Sequence, residues 1–202
     1  MKYPHNIKEL NALPINLMGM IFYNKSPRYI DNLEWEDIRD VLHPEIGRAG
    51  VFVNAGMDYI LQMAEKYRLG TVQLHGNELP EFCKELATYM PVIKAFSIAE
   101  ASDFEQAEQY EAINGYFLFD TKTPQYGGSG QKFDWNILDN YQGDTPFLLS
   151  GGISADDVEA IRKIKHPKFA GVDLNSRFET QPGMKDIKQL QQFIKALNDE
   201  QD

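Results

Sequence analysis

Cysteine occurs once in the 202 residues, at Cys83, and histidine only four times. A lone thiol excludes an internal disulfide and a multi-cysteine zinc site, and such usage fits a reducing compartment. Positive charge is also scarce. Lys and Arg number 20 against 30 Asp and Glu, which gives a formal charge of −10 and a sequence pI near 4.9. That field repels nucleic acid and anionic membranes, so neither is expected as the main partner. An anionic small molecule remains open if cations and helix N-termini gather in one pocket. No apolar run reaches the roughly 18 residues that cross a bilayer, and the N-terminal region lacks a basic-then-apolar signal pattern. The chain also lacks a linker, a low-complexity tract or a charge run that would divide it. It is expected to be one soluble, cytoplasmic domain over residues 1–202.

What the chain does have is alternation. The hydrophobic content is 43% and the charged content 25%, ordinary for a packed globular protein. Residues His5–Leu13 read as a short helix, followed by an apolar strand, Ile15–Tyr23, and a loop carrying Lys25 and Arg28. Helix Trp35–Leu42, strand Arg48–Asn54, helix Met57–Tyr67, strand Thr71–Gly76 and helix Leu79–Tyr89 come next. Strand Pro91–Phe96, helix Ala101–Tyr110, a strand ending at Asp120 and helix Phe133–Asn140 continue the pattern. Strand Pro146–Ser150 stops at Gly151-Gly152, and Ser154 caps a helix with Asp156 and Asp157 at its positive end. Strand Phe169–Asn175 and helix Gly183–Leu197 complete the chain.

Seven near-continuous apolar strands alternating with eight helices imply a parallel sheet buried on both faces. A doubly wound sheet usually places its glycine loop after the first strand. Here Gly151-Gly152 comes late, which favours a (β/α)8 TIM barrel, in which phosphate binds in the loops after the last strands. A front helix with no strand before it is the anomaly.

The stretch Phe117–Gly130 organises the rest. An apolar strand delivers one carboxylate, Asp120, at its C-terminal end and then breaks into a loop with Pro124 and Gly127, Gly128 and Gly130. C-terminal strand ends face the ligand in such barrels. Glycines after an acid allow backbone N–H groups to approach an anion closely.

Taken in order, Lys25-Ser26-Pro27-Arg28, Gly50–Asn54, Val72–Gly76, Ile93–Phe96, Phe119–Lys122 with Gly127–Gly130, Ser150–Ile153, Gly171–Ser176 and Gln181–Asp186 resemble the phosphoribosylanthranilate isomerases of tryptophan biosynthesis. The resemblance covers essentially the whole chain. It implies the β/α barrel, no metal and no organic cofactor. It also implies an Amadori rearrangement of an aminoaldose phosphate, with a phosphorylated sugar–anthranilate adduct as the small-molecule partner. The oligomeric state is not implied.

The same resemblance assigns residues. Asp120 matches the general acid, which must hold a proton beside an anionic substrate and give it to the ribose ring oxygen. Arg28 matches the residue facing the anthranilate carboxylate, for which a guanidinium fork is well suited. The phosphate is expected at the N–H groups of Gly151, Gly152, Asn175 and Ser176, with Gly128 in the neighbouring loop. His75, at a strand's end, has two readings of equal weight, pocket lining and structural. Arg177 is either a phosphate contact or an outward cation. Asp173, expected inside the last strand, is read as orienting nearby loops by hydrogen bonds.

One family feature is lacking. The general base there is a cysteine in a Lys-x-Cys-Gly segment on the first strand, and this chain has no such segment. Met1 falls where the residue after that Cys-Gly is expected, so the resemblance implies a (β/α)8 TIM barrel missing strand 1 together with its base. Cys83 lies within a helix, where cysteine is usually a small buried hydrophobe. The expectation is low or undetectable isomerisation by the chain as written, with a non-catalytic phosphosugar-binding barrel as the alternative.

Overall fold

The computed structural model describes residues 1–30, 33–111, 113, 115–122 and 132–199. Its frame is a curled parallel sheet of seven strands lying side by side in chain order. They are β1 (Leu17–Ile21), β2 (Gly47–Phe52), β3 (Thr71–Leu74), β4 (Val92–Ile98), β5 (Gly115–Thr121), β6 (Phe147–Leu149) and β7 (Phe169–Val172). The arrangement is a (β/α)8 barrel lacking one strand, with β1 and β7 as its edges. Beside β1 the Met1 amine donates to the Gly19 carbonyl at 2.6 Å. Burial, reinforced by Lys185, pushes that amine down to about 5.

Register sorts the side chains, because residues two apart on a strand share a face. Ala95 pairs with Leu118, Leu118 with Leu148, and Leu148 with Gly171. Ile93, Ala95 and Leu118, with Leu148, form a small apolar plug inside the barrel. The larger core lies between the sheet and its helices and includes Phe52, Leu74, Phe117, Phe119 and Phe147. Phe119 is wholly buried and meets Phe104, Tyr141 and Phe147 at ring separations of 4.9, 5.1 and 4.8 Å. Alternation along β5 thus buries Phe117 and Phe119 outward while Leu118 and Asp120 point into the barrel.

Helical segments occupy all eight expected positions, but not all are α-helices. The α-helices are α1 (Pro4–Leu10), α2 (Trp35–Ile38), α3 (Met57–Lys66), α4 (Pro80–Ala87), α5 (Val158–Arg162) and α6 (Ile187–Asn198). Ala101–Tyr110 and Trp135–Asn140 are wound as 3-10 helix instead. Their apolar residues explain the difference. Ala101, Phe104, Ala107 and Tyr110, like Trp135, Leu138 and Tyr141, recur every three residues, and a three-residue turn stacks them on one line. Ala155–Asp157 is a 3-10 turn leading into α5, and Asp157 closes a capping box by accepting from Ser154 N at 2.6 Å.

Two expectations need correction near the C-terminus. The last helix begins at Ile187, not Gly183, because Pro182 and Gly183 form a turn, with Gly183 at φ +84°. That turn joins a small antiparallel hairpin, β8 (Glu179–Gln181) and β9 (Met184–Lys185). The last barrel strand ends at Val172, so Asp173–Asn175 belong to the rim and Asp173 is not inside the strand. Its neighbour β6 already ends at Leu149, leaving no ladder beyond the bond from Asp173 N to Leu149 O at 2.8 Å.

Removing the ring at the centre of the aromatic layer leaves a cavity that the surrounding side chains cannot fill. Phe119→Ala is expected to cost about 3–5 kcal/mol of unfolding free energy, measured by urea titration.

Candidate active site

The C-terminal ends of β3, β5, β6 and β7 bring polar groups to one rim. Asp120 points inward from β5, and its Oδ1 accepts from Thr121 N at 2.8 Å. Its Oδ2 lies 3.1 Å from Nε2 of His75, which follows β3. The Gln73 amide nitrogen is 3.0 Å from His75 Nδ1. With that amide donating, Nδ1 is the acceptor, and Nε2 carries the ring proton and donates it to Asp120. The structure thus brings two candidate residues into one acid–imidazole pair. Gln73 was not foreseen, although its place two residues before His75 puts it on the same strand face.

The loop carrying His75 is locked from below. Glu78, nearly fully buried, accepts from Asn54 N at 2.8 Å, Gly76 N at 3.0 Å and Lys94 Nζ at 3.1 Å. Lys94 also donates to the Gly76 carbonyl at 2.7 Å. Asn54 is left-handed, with φ 51°, and its side chain accepts from Asn77 N at 2.7 Å. A buried pair so fully hydrogen-bonded fixes a geometry more than it adds stability.

Gly151 makes room for Asp120. Its φ is +91°, and a Cβ there would stand 2.6 Å from Asp120 Oδ1 and 2.4 Å from Thr121 Oγ1. Gly152 follows at φ +67°. Among the described residues, the backbone N–H groups of Gly151, Gly152, Asn175 and Ser176 are not used in protein hydrogen bonds. Strands β6 and β7 are neighbours, so these donors share one corner of the rim, where they can receive an anion. Gly128 lies outside the described residues, so the expected contribution of its loop is not placed.

Asp173 accepts from the Ser150 hydroxyl at 3.0 Å. Enclosure of its carboxyl pushes it above the ordinary range, against the pull of Lys185 and Ser150. Arg28 sits in the loop after β1, where both Nε and Nη2 lie 2.8 Å from Glu179 Oε2. Lys185 Nζ lies 3.2 Å from the other Glu179 oxygen and 2.9 Å from Asn175 Oδ1. Sequence reasoning missed Glu179 and gave Lys185 no role, though both flank the Pro182-Gly183 turn. Cys83 is on α4 with its thiol buried against the Glu78 carbonyl at 3.9 Å, and burial pushes it up to about 11.

No group of three or more His, Cys, Asp or Glu converges as a metal site among the described residues. No helix among them is long and apolar enough to cross a membrane.

These features define a β/α barrel with an acid–imidazole pair and a group of unused backbone N–H donors on the same rim. The chain belongs to the N-(5'-phosphoribosyl)anthranilate isomerase family, whose model matches residues 2–196. It is 49% identical over 201 residues to the enzyme of that name from Parabacteroides distasonis, covering 98% of this chain and 90% of that one. The Phocaeicola vulgatus enzyme is 44% identical over 198 residues, covering 98% and 94%. Among solved structures, the Thermotoga maritima phosphoribosyl anthranilate isomerase superposes with a TM-score of 0.81 at 35% identity, covering 98% of this chain and 95% of that one. A phosphoribosyl anthranilate isomerase in complex with reduced 1-(o-carboxyphenylamino)-1-deoxyribulose 5-phosphate matches at TM-score 0.78 and 31% identity, covering 98% and 94%.

Two outcomes follow from this geometry. Gly151→Ala forces a side chain into a left-handed position and against Asp120. It is expected to cost about 1–3 kcal/mol in urea unfolding and to shift the His75 ring nitrogen resonances, because the Nε2 acceptor moves. Cys83, held as a thiol well above neutral pH, is expected to resist iodoacetamide in the native protein at pH 8. Its alkylation should quicken only as pH rises towards about 11 or on adding denaturant, followed by mass spectrometry.

Proposed function

We propose that the chain, as one barrel unit over residues 1–202, binds N-(5-phosphoribosyl)anthranilate and serves its Amadori rearrangement in tryptophan biosynthesis. The reading rests on one observation above the rest. The Asp120–His75 pair and the four unused N–H groups of Gly151, Gly152, Asn175 and Ser176 share a rim, as a phosphorylated sugar with one reacting end requires. The phosphate occupies those N–H groups, and Arg28 faces the anthranilate carboxylate.

In this reading Asp120, when protonated, gives its proton to the ribose ring oxygen as the C1–O bond breaks. The nitrogen lone pair forms the C1=N bond of a Schiff base. Loss of the C2 proton moves the C2–H electron pair into a C1–C2 double bond, and the C=N pair returns to nitrogen. The resulting enolamine tautomerises to the aminoketose. His75, held by Gln73, keeps Asp120 aimed. Cys83 cannot take the C2 proton, because it is on α4 with its thiol turned to the Glu78 carbonyl.

The test is loss of anthranilate-adduct fluorescence, measured with this chain and with the same chain preceded by a strand carrying Lys-x-Cys-Gly. The extended protein is expected to turn over and the chain as given to be slower by about 10²–10⁴, the usual worth of a positioned base. Asp120→Asn in the extended protein is expected to remove a similar factor while the reduced product analogue still binds. Binding without turnover in either protein would replace the enzyme reading with a phosphosugar-binding one. Equal turnover in both would make His75 the acceptor of the C2 proton, checked with His75→Asn.

A further inference from the structure

The least expected feature of the rim is a run of charge beneath it. Arg28, Glu179 and Lys185 lie side by side, with side chains only 14%, 3% and 10% exposed. Both Arg28 contacts, through Nε and Nη2, fall on one oxygen, Glu179 Oε2, at 2.8 Å. The second oxygen, Oε1, accepts from Lys185 Nζ and from Gly183 N, each at 3.2 Å. Lys185 Nζ goes on to the Leu174 carbonyl at 3.1 Å and to Asn175 Oδ1 at 2.9 Å. Asn6 grips the Lys185 backbone on both sides, accepting from its N at 2.7 Å and donating to its O at 3.0 Å.

Three facts make this more than a surface ion pair. The Glu179 carboxylate has four donors and almost no solvent, so its position is set by the protein. Arg28 Nη1 has no partner among the described residues, so one edge of the guanidinium is committed while the other is open. Finally, Lys185 is drawn to both Glu179 and Asp173, so the cluster reaches from the Arg28 loop to the loop after β7.

We propose that Glu179 is a positioning residue. It fixes the Nε–Nη2 edge of Arg28 so that Nη1 presents to the substrate's aromatic carboxylate, and through Lys185 it ties that arm to the Asn175 loop that serves the phosphate. One relay, Arg28–Glu179–Lys185–Asn175, then holds the donors for both anionic ends of the ligand at a fixed spacing. The proposal rests on the reading of Arg28 as the carboxylate contact. Removing the Glu179 charge frees the Arg28 side chain, which must then lose rotamer freedom on binding.

The experiment is calorimetric and needs no turnover. Two ligands are titrated, reduced 1-(o-carboxyphenylamino)-1-deoxyribulose 5-phosphate and its phenylamino counterpart without the carboxyl group. The readout is the ratio of their Kd values, which cancels effects common to the phosphate. Glu179→Gln is expected to lower the preference for the carboxylated ligand by about tenfold, the worth of one charge-assisted hydrogen bond. Arg28→Lys is expected to lower it as much or more, and Glu179→Gln added to Arg28→Lys should change the ratio no further. If Arg28→Lys lowers the preference and Glu179→Gln does not, the positioning role is overturned. If Arg28→Lys itself leaves the ratio unchanged, the reading of Arg28 as the carboxylate contact falls, and this proposal falls with it. Should Glu179→Gln fail to fold by circular dichroism, Glu179→Asp keeps the charge on a shorter arm. It is then expected to give an intermediate ratio, and an unchanged ratio would overturn the proposal.

Discussion

Asp120 can stand in the barrel mouth because Gly151, on the loop after the neighbouring strand, has no side chain. Any Cβ there would overlap Asp120 Oδ1 and Thr121 Oγ1, and the carboxylate would lose both its backbone donor and its imidazole. The same absence of a Cβ permits the left-handed turn that leaves the Gly151 and Gly152 N–H groups unused. A single requirement, space beside a carboxylate, therefore produces the position of Asp120 and two of the four unused N–H groups together. The aromatic layer behind β5 serves the same end. Phe117 and Phe119 anchor one face of the strand so that Leu118 and Asp120 can occupy the other.

Two buried carboxylates, each paired with lysine or arginine, brace this centre. Glu78 with Lys94 braces the loop that bears His75, and Glu179 with Arg28 and Lys185 braces the loops after β1 and β7. Burial acts against both Glu179 and Lys185. Burial would raise the Glu179 carboxyl, yet Arg28 and Lys185 outweigh it and hold the group below the ordinary range, while burial lowers Lys185 against the pull of Glu179 and Asp173. Such pairs contribute little net stability compared with an apolar replacement. Their value here is spacing. Each carboxylate gathers donors from segments far apart in sequence and leaves them in one arrangement.

Much of the barrel was legible in the chain itself. Apolar strands with polar C-terminal ends, a lone acid after Phe119 and glycines after Ser150 follow from local pattern and the chemistry of each residue type. Asp120, Gly151, Gly152, Asn175 and Ser176 come to the same rim because strand order places their loops side by side. The 3-10 segments were legible in principle as well, since their apolar residues repeat every three positions. So was the hairpin turn at Pro182-Gly183, which an apolar periodicity running on into α6 obscured.

The partners of those residues were not legible. Nothing in the spacing of Arg28 and Glu179, 151 residues apart, or of His75 and Asp120, 45 apart, announces a contact. Periodicity is a property of neighbours along the chain and determined which residues form strands, which face each side chain takes and which ends are polar. Hydrogen bonds between side chains depend on register and on the depth at which each loop sits. Only the curvature of the sheet decided that the imidazole meets the acid, and that one buried carboxylate holds both the arginine and the lysine beneath the rim.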